Sequence, residues 1–416
     1  MPEPIIFHVD VNSAFLSWEA CSLLKNGAQE DIRSFPSVIG GSQAERHGIV
    51  LAKSSSAKAF GIRTGEPLAQ AKRKCPHLQI FPPHYDIYVQ NSKALMSLLH
   101  RYAPEVEQLS IDEAYCNMTG TECLYGDLIA FAHTLKDIIH SELGFTVNIG
   151  ISHNKILAKM ASDFEKPDKV HTLFAKELPS KMWPLPVEEL FYVGRSSYQK
   201  LHNLGIYTIG DLAHYDKNIL VSHLNKHGET IWKFANGIDV PEISASQPEN
   251  KGYGNSITLP YDVEDRDTAR IYLLSLCETV GARLRSDHSF IKTISVSIVD
   301  SSFHHSSKQT TLPSATNITE KIFHCACQLF DQLWKGEPIR LLGVSTSKAT
   351  KEQFVQYNLF DTKMDEKYEK LNSAIDQIRN RYGEDSIKRA RFLEGQAEHM
   401  SGGINKAKRT DITKDV

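Results

Sequence analysis

Apolar positions along the chain switch repeatedly between two spacings. Ile5, Ile6, Phe7 and Val9 form a short run of buried-strand length that stops at Asp10, and Ala14–Leu24 then carries apolar residues at helical spacing. Ile49–Ala52 reads as a strand that runs through three serines into a short helix, which ends at Gly61, where glycine can take the left-handed conformation that stops helices. "DIYVQNSKALMSLLHRYAP" is an amphipathic helix ended by Pro104, "VEQLSIDEAYCNMTG" reads as two short strands meeting near Ile111–Glu113, and "LIAFAHTLKDIIHSEL" is another helix. "FTVNIGIS" alternates Phe145, Val147, Ile149 and Ile151 as a half-buried strand does, and "HNKILAKMASDFEKPD" follows as a helix stopping at Pro167. This order predicts an α+β sheet domain with its helices on one face.

From about 171 to 239 the pattern is all-helical, and 240–250 is a Pro-, Ser-, Asn- and Glu-rich linker. Strands then return in "YGNSITL", "IKTISVSIVD", "SSKQTTL" and "LLGVSTSKA", with helices near Ala269–Arg285 and Ile318–Lys335, predicting a second α+β domain. The tail holds one amphipathic helix, "YEKLNSAIDQIRNRYG", and a charged end expected to be disordered.

Composition narrows the class. The 416 residues suggest two to four domains, and 41% hydrophobic with 23% charged residues is ordinary for a soluble globular protein. No apolar run reaches the roughly 18 residues of a membrane span, and the N-terminus lacks a signal-peptide pattern. Seven cysteines without framework spacing point to reduced thiols in a cytosol. The one tight Cys/His group, His324-Cys325-Ala326-Cys327, lies in a helical stretch without a second half-site and is expected to be packing. A net charge of −3 does not advertise a nucleic-acid binder, but backbone N–H groups and helix N-termini can hold phosphates without basic residues.

Three acids carry the candidate chemistry. Asp10 ends its strand, and Asp112 and Glu113 sit side by side where two short strands meet. Each alone is equally a turn or capping residue. Brought together they would repel and raise one another's pKa unless a cation sat among them. Mg²⁺ takes carboxylate and phosphate oxygens, and two such ions can activate a hydroxyl nucleophile and stabilise a leaving pyrophosphate. That is nucleotidyl transfer.

"HVDVNSAF", "SIDEAY", "GISHNKILAKMASDFEKP" and "VGRSSYQKLHNLGIYTIGDLA" occur in the order and spacing of the Y-family DNA polymerases, and the chain resembles the bacterial DNA polymerase IV type over residues 5 to 400. The resemblance implies a right hand: palm at 1–12 and 84–170, fingers at 13–83, and a helical thumb at 171–239. After the linker come an α+β little finger at 251–350 and a tail at 351–416. It implies that Asp10, Asp112 and Glu113 hold two Mg²⁺ ions, with the Val11 carbonyl as a further ligand. Phe15 matches the steric gate that rejects a ribose 2′-OH, and Lys159 matches the lysine that contacts the incoming triphosphate. Lys155, four residues earlier, shares its helical face. Gly194 before a helix and Gly205-Ile206 after it resemble a helix-hairpin-helix whose turn offers free N–H groups to a DNA phosphate.

The match is incomplete around the nucleotide. The family usually grips the triphosphate with a tyrosine and an arginine three residues apart; here Ser55 and Lys58 stand there, keeping a hydroxyl and a charge but losing the guanidinium fork. The small pair Ser13-Ala14 before the gate suggests extra room beside the base pair. In the second domain, Arg283, Arg285 and Lys308 are candidate backbone contacts to DNA. In the tail, "QYNLF" resembles the peptide by which bacterial polymerases dock on the sliding clamp, with Leu359 and Phe360 entering an apolar pocket and Gln356 making the polar contact.

The expectation is a monomeric bacterial cytosolic enzyme, with no proofreading motif, acting on primer–template DNA and deoxynucleoside triphosphates at low fidelity in DNA damage tolerance and repair. Two other readings stay open: a non-catalytic DNA- and clamp-binding module, and a nucleotidyl cyclase, which also uses paired acids on a palm-like sheet.

Overall fold

A computed structural model describes residues 3–41, 48–239, 250–351, 362–393 and 397–401. The chain divides into two compact units, the first of Met1–Gly41 and Ile49–Gln247 and the second of Ser42–Gly48 and Pro248–Val416.

The first unit opens with β1 (Ile6–Val11) and α1 (Ala14–Lys25), then β2 (Ser37–Gly40), β3 (Val50–Lys53), α2 (Ser55–Ala59), α3 (Leu68–Lys74) and β4 (Gln79–Phe81). Next come α4 (Tyr85–Tyr102), β5 (Glu105–Gln108), β6 (Glu113–Asn117), α5 (Glu122–Tyr125), α6 (Leu128–Leu143), β7 (Val147–Ser152), α7 (Lys155–Asp163) and β8 (Val170–Thr172). A helical region closes the unit: α8 (Arg195–Asn203), α9 (Ile209–His214), α10 (Lys217–Leu224) and α11 (Lys226–Ala235).

The main sheet has the order β5-β6-β1-β7-β8, antiparallel except for β7–β8. Alternation along β1 decides what each face buries. Phe7, Val9 and Val11 enter a core with Trp18 of α1, Leu95 and Leu99 of α4, and Leu135 and Ile139 of α6. Ile6, His8 and Asp10 point the other way, where Ile6 packs with Tyr115 and with Ala158 of α7. Helices therefore cover both faces, not one as the hydrophobic pattern predicted, and β7 is buried along its whole length rather than half-buried. Gly150 makes this possible: a Cβ there would lie 1.9 Å from the Ala158 carbonyl oxygen and 2.4 Å from the Ser162 nitrogen, so only glycine lets α7 sit this close.

A second, three-stranded sheet, β3-β2-β4, has a small core of its own around Val38, Val50, Ala57 and Leu68. α1 packs on both sheets: Ala14 and Trp18 face the main core, while Leu16 and Ala20 form a further cluster with Ile39 and Ala52. α7 ends at Asp163, short of Pro167, and β8 reaches Thr172, so the segment expected to be all-helical from 171 begins with a strand. Among the described residues no helix is long and apolar enough to cross a membrane.

The second unit contains β9 (Gly254–Val263), α12 (Arg266–Ser286), β10 (Ile291–Asp300), β11 (His305–Thr316), α13 (Thr319–Leu333), β12 (Ile339–Ser347) and α14 (Thr362–Tyr382). Its antiparallel sheet, β11-β10-β12-β9, packs against α12 and α13, with Leu273, Leu276, Ile294, Val296, Ile322 and Phe330 in the core. Cys325 is buried there, consistent with a packing role. Glu278 on α12 is buried between Arg379 of α14, at 2.7 Å, and Arg389, which also reaches Glu320 at 2.7 Å. The linker 240–249, the peptide Gln356–Phe360 with its Leu359, and the charged end 402–416 lie outside the described residues.

Candidate active site

The site grows from the end of β1. Asp10 is the cross-strand partner of Glu113 on β6 and of Asn148 on β7, so the three side chains share the face under α7. One residue on, Val11 donates its backbone N–H to the Asp112 carbonyl at 3.1 Å, fixing the bend before β6 against the strand end. The Ser110 hydroxyl donates to Asp112 Oδ1 at 2.6 Å. Ser13, at φ +48°, turns the chain from β1 into α1 and so sets Phe15 in that helix's first turn.

These turns enclose a cavity of about 340 Å³, lined by Asp10, Val11, Phe15 and Asp112 on one side and by Lys53, Ser55, Lys58 and Thr64 on the other. The Phe15 ring stacks on Tyr88 at 4.5 Å, nearly parallel, and meets Tyr85 edge-on at 6.0 Å. Phe15, Ser55, Lys58 and two of the three acids thus meet in one space. Ala14 lines it too but is buried in the main core, so the room beside Phe15 is already shared with packing.

Glu113 and Lys159 stand on the α7 side. The Lys159 ammonium donates to Glu113 Oε1 at 2.6 Å and is buried, so it engages an acid rather than lining the cavity. Lys155 pairs with Glu107 at 3.1 Å, its charge spent elsewhere despite the shared helical face. Lys166, which the sequence reading passed over as part of a helix end, donates to the Asp10 carboxylate and to Asp163 at 2.9 Å, and lines the cavity. Its loop is held by two asparagines. Asn148 donates to the Glu165 carbonyl at 2.7 Å and to Ser162 at 3.0 Å; Asn12 donates to Asn148 and accepts from the Asp168 N–H at 2.9 Å. Lys53, also passed over, donates to the Thr64 hydroxyl at 3.1 Å.

Burial pushes the Asp10 carboxyl up to about 6, with Lys166 pulling down and Glu113 adding to the rise. Burial, with Lys159 and Lys166 beyond it, holds the His8 imidazole well below its usual range; its Nδ1 lies 2.8 Å from the Ser162 hydroxyl. Among the described residues no three His, Cys, Asp or Glu side chains are gathered closely enough to hold a metal ion. The acids do not form a finished cage: Lys166 engages Asp10, Ser110 engages Asp112 and Lys159 engages Glu113. Their chemistry nonetheless suits a hard divalent cation, because all the donors are carboxylate oxygens and Asp10 is buried at a cost its lysine does not cancel.

The helical region corrects one expectation. The N–H groups of Gly205 and Ile206 donate to the carbonyls of His202 and Leu201 at 3.0 Å, and those of Tyr207 and Thr208 go to Asp211. That turn has no free donors. Gly194, by contrast, begins α8 without a side-chain cap, so the first-turn N–H groups there have no helical acceptor. In the second unit Arg285 is committed to Asp376 and to the Asn317 carbonyl, whereas Lys308 is exposed on β11. Arg283 bonds Asn255 at 2.6 Å.

Residues 9–163 match the impB/mucB/samB family, and residues 250–359 match that family's C-terminal domain. The chain is 48% identical to DNA polymerase IV of Clostridium acetobutylicum over 94% of this chain and 98% of that one. It is 36% identical to DNA polymerase IV of Acetivibrio thermocellus, over 94% and 98% of the two chains. For DNA polymerase IV of Bacillus velezensis the identity is 33%, over 96% and 95%. A solved chimera of Y-family DNA polymerases shares the fold at a TM-score of 0.71 and 22% identity, covering 82% of this chain and 98% of the chimera. Matched in both of its domains and over almost the full length of its relatives, the chain belongs to the impB/mucB/samB family, the Y-family DNA polymerases of the DNA polymerase IV type.

Proposed function

We propose that this chain extends a DNA primer on a template by nucleotidyl transfer, and that the cavity bounded by Asp10, Asp112, Phe15, Ser55 and Lys58 receives the incoming deoxynucleoside triphosphate. The observation that carries this is the meeting in one 340 Å³ space of two acids from distant strand ends with an aromatic ring and a lysine-bearing helix. Asp10, Asp112 and Glu113, with the Val11 carbonyl, would hold two Mg²⁺ ions. The chemistry such ions supply is activation of the primer 3′-hydroxyl and charge neutralisation on the departing pyrophosphate.

The protein's own groups do the rest. Phe15, propped by Tyr88, fills the space a ribose 2′-hydroxyl would need. Ser55 and Lys58 would hold phosphate oxygens, and Lys159, paired with Glu113, would be the further ammonium available to them if a metal took that carboxylate. The open start of α8 at Gly194 takes a DNA phosphate, a contact that needs little net positive charge. The second unit's sheet follows the DNA backbone, and Gln356, Leu359 and Phe360 dock on the sliding clamp, raising the local concentration of a weak binder. An enzyme so built copies damaged templates at low fidelity, as a monomer in the bacterial cytosol.

The test is primer extension with Mg²⁺. Wild type should add templated deoxynucleotides and Asp112→Ala should not. No incorporation by wild type at high enzyme sinks the reading, and a cyclic product from ATP or GTP alone would point to a cyclase.

A further inference from the structure

Asp163, the last residue of α7, stands outside the cavity lining, yet it lies between the two lysines that occupy the site's acids. Lys159 pairs with Glu113 at 2.6 Å and lies 3.8 Å from Asp163 Oδ2. Lys166 pairs with Asp10 and lies 2.9 Å from Asp163 Oδ1. Because Asp10 and Glu113 are cross-strand partners, the five side chains close a ring, Asp10–Lys166–Asp163–Lys159–Glu113. Signs alternate around it except where Asp10 meets Glu113, and that junction of two acids is where a cation would complete the alternation. We propose that Asp163 is a positioning residue of this site: it keeps Lys159 and Lys166 when Asp10 and Glu113 give their carboxylates to divalent cations, and so sets the metal affinity of those acids. The proposal rests on the metal-site reading above.

The end of α7 is fixed for this role. Asn148 donates to the Ser162 carbonyl at 3.0 Å and to the Glu165 carbonyl at 2.7 Å. The Ser162 hydroxyl donates to the Lys159 carbonyl at 2.8 Å and lies 2.8 Å from His8 Nδ1. Residues on both sides of Asp163 are thus tied to β1 and β7. Lys159 lies four positions before it and Lys166 three after, one on each carboxylate oxygen.

An ammonium on a carboxylate competes with a cation for the same oxygens. Among the described residues, Asp163 is the only other acid that pairs with either lysine. Without it, Lys159 and Lys166 have only Asp10 and Glu113 to turn to, and one negative charge leaves the neighbourhood. Both changes weaken the hold on a cation. The Asp10 side chain is 8% exposed and that of Asp163 48%. A pair so open to water contributes little to folding, which separates the role of Asp163 in the site from any role in stability.

The experiment titrates Mn²⁺ onto the full chain with primer–template, read by electron paramagnetic resonance of the free ion against a blank of DNA alone. Insertion kinetics across a Mg²⁺ series run beside it. Asp163→Asn should raise the Mn²⁺ dissociation constant, and the Mg²⁺ concentration for half-maximal insertion, about fivefold. Its kcat at saturating Mg²⁺ should stay within about threefold of wild type. Asp163→Glu should restore metal binding to within about twofold. Asp137→Asn, which removes the same charge from an α6 acid paired with Lys136, should change neither. In a Lys166→Gln background the Asp163→Asn shift should shrink to about twofold, because one lysine through which it acts is gone. Thermal unfolding checks that each variant is folded. An unchanged Mn²⁺ constant, an equal shift in Asp137→Asn, or the full shift in the Lys166→Gln background would overturn the positioning role. If Asp112→Ala binds Mn²⁺ as tightly as wild type, the metal reading of the three acids falls and the role of Asp163 with it. A wild-type chain that binds Mn²⁺ and primer–template without extending the primer removes the polymerase reading alone, since the titration needs no catalysis.

Discussion

Asp10 and Glu113 face each other as cross-strand partners on β1 and β6, and each carboxylate holds the ammonium of a lysine, Lys166 and Lys159 respectively. The site is therefore pre-neutralised. Two acids on one face of a buried strand pair would be costly side by side; with a lysine each, they fold without a metal.

Asp112 differs, because a hydroxyl rather than a cation engages it. It is the acid most available to a metal, and removing it should cost the most catalysis for the least folding penalty. Asp112→Ala is expected to lower the insertion rate by about 10²-fold or more. Its unfolding midpoint should stay close to wild type, as it is only partly buried. Single-turnover insertion with parallel thermal melts checks both; a variant inserting at the wild-type rate removes Asp112 from the mechanism.

Phe15 should set sugar selectivity. Its ring is held by stacking on Tyr88 and edge contact with Tyr85, so it cannot simply swing aside for a 2′-hydroxyl. Phe15→Ala is expected to narrow the preference for deoxy- over ribonucleotides by roughly 10- to 100-fold, mainly by improving ribonucleotide insertion. Ribonucleotide and deoxynucleotide insertion efficiencies on one template give the ratio directly, and an unchanged ratio would put the gate elsewhere.

Much of this was readable in the residue order. The strand carrying Asp10 near its end, the bend at Asp112-Glu113 and the helix Leu128–Leu143 follow from local periodicity, which needs no knowledge of distant partners. What escaped was non-local. Lys166 meets Asp10 across 156 positions of sequence, and no local signal separates it from any lysine before a proline. Of the sheet β3-β2-β4 only β3 was legible, since β2 and β4 are four and three residues long. The Gly205 turn looked like a donor site, but whether its N–H groups are spent is decided by carbonyls of the preceding helix. The second face of β7 was hidden because a glycine carries no hydrophobic signal, yet Gly150 is what admits α7.

Gly150→Ala tests that packing. A methyl at 1.9 Å from a backbone oxygen and 2.4 Å from a backbone nitrogen cannot be absorbed by a side-chain shift; α7 must move away from the sheet. Overpacking of this kind costs about 1–3 kcal/mol or more. Because Lys159 rides on α7, insertion should fall beyond what the stability loss explains. Urea unfolding and insertion kinetics measured under fully folded conditions check the two effects; a variant as stable and active as wild type would show that α7 is not fixed by this contact.

The last prediction concerns the second unit, where Glu278 is the shared partner of Arg379 and Arg389. Glu278 and Arg379 are both nearly inaccessible to solvent, so removing the acid strands a buried guanidinium. Glu278→Ala is expected to destabilise the unit by about 3–5 kcal/mol, and Glu278→Gln by less, since an amide oxygen still accepts a hydrogen bond. The pH dependence has a defined sign. Burial pushes this carboxyl up, but Arg389 and Arg379 together outweigh it and hold its pKa below the ordinary 4.5. A folded-state pKa below the unfolded one means the unfolded chain binds more protons between the two values. The pairing therefore contributes fully above about 4.5 and is lost as pH falls through the lowered folded value. Hydrogen exchange in peptides covering α12 should accelerate in wild type as pH drops through that window, after correction for intrinsic exchange rates. In Glu278→Ala it should be fast already at neutral pH. Equal protection of the two proteins at neutral pH would mean that the arginines find other partners and that the pairing does not hold α14 to α12.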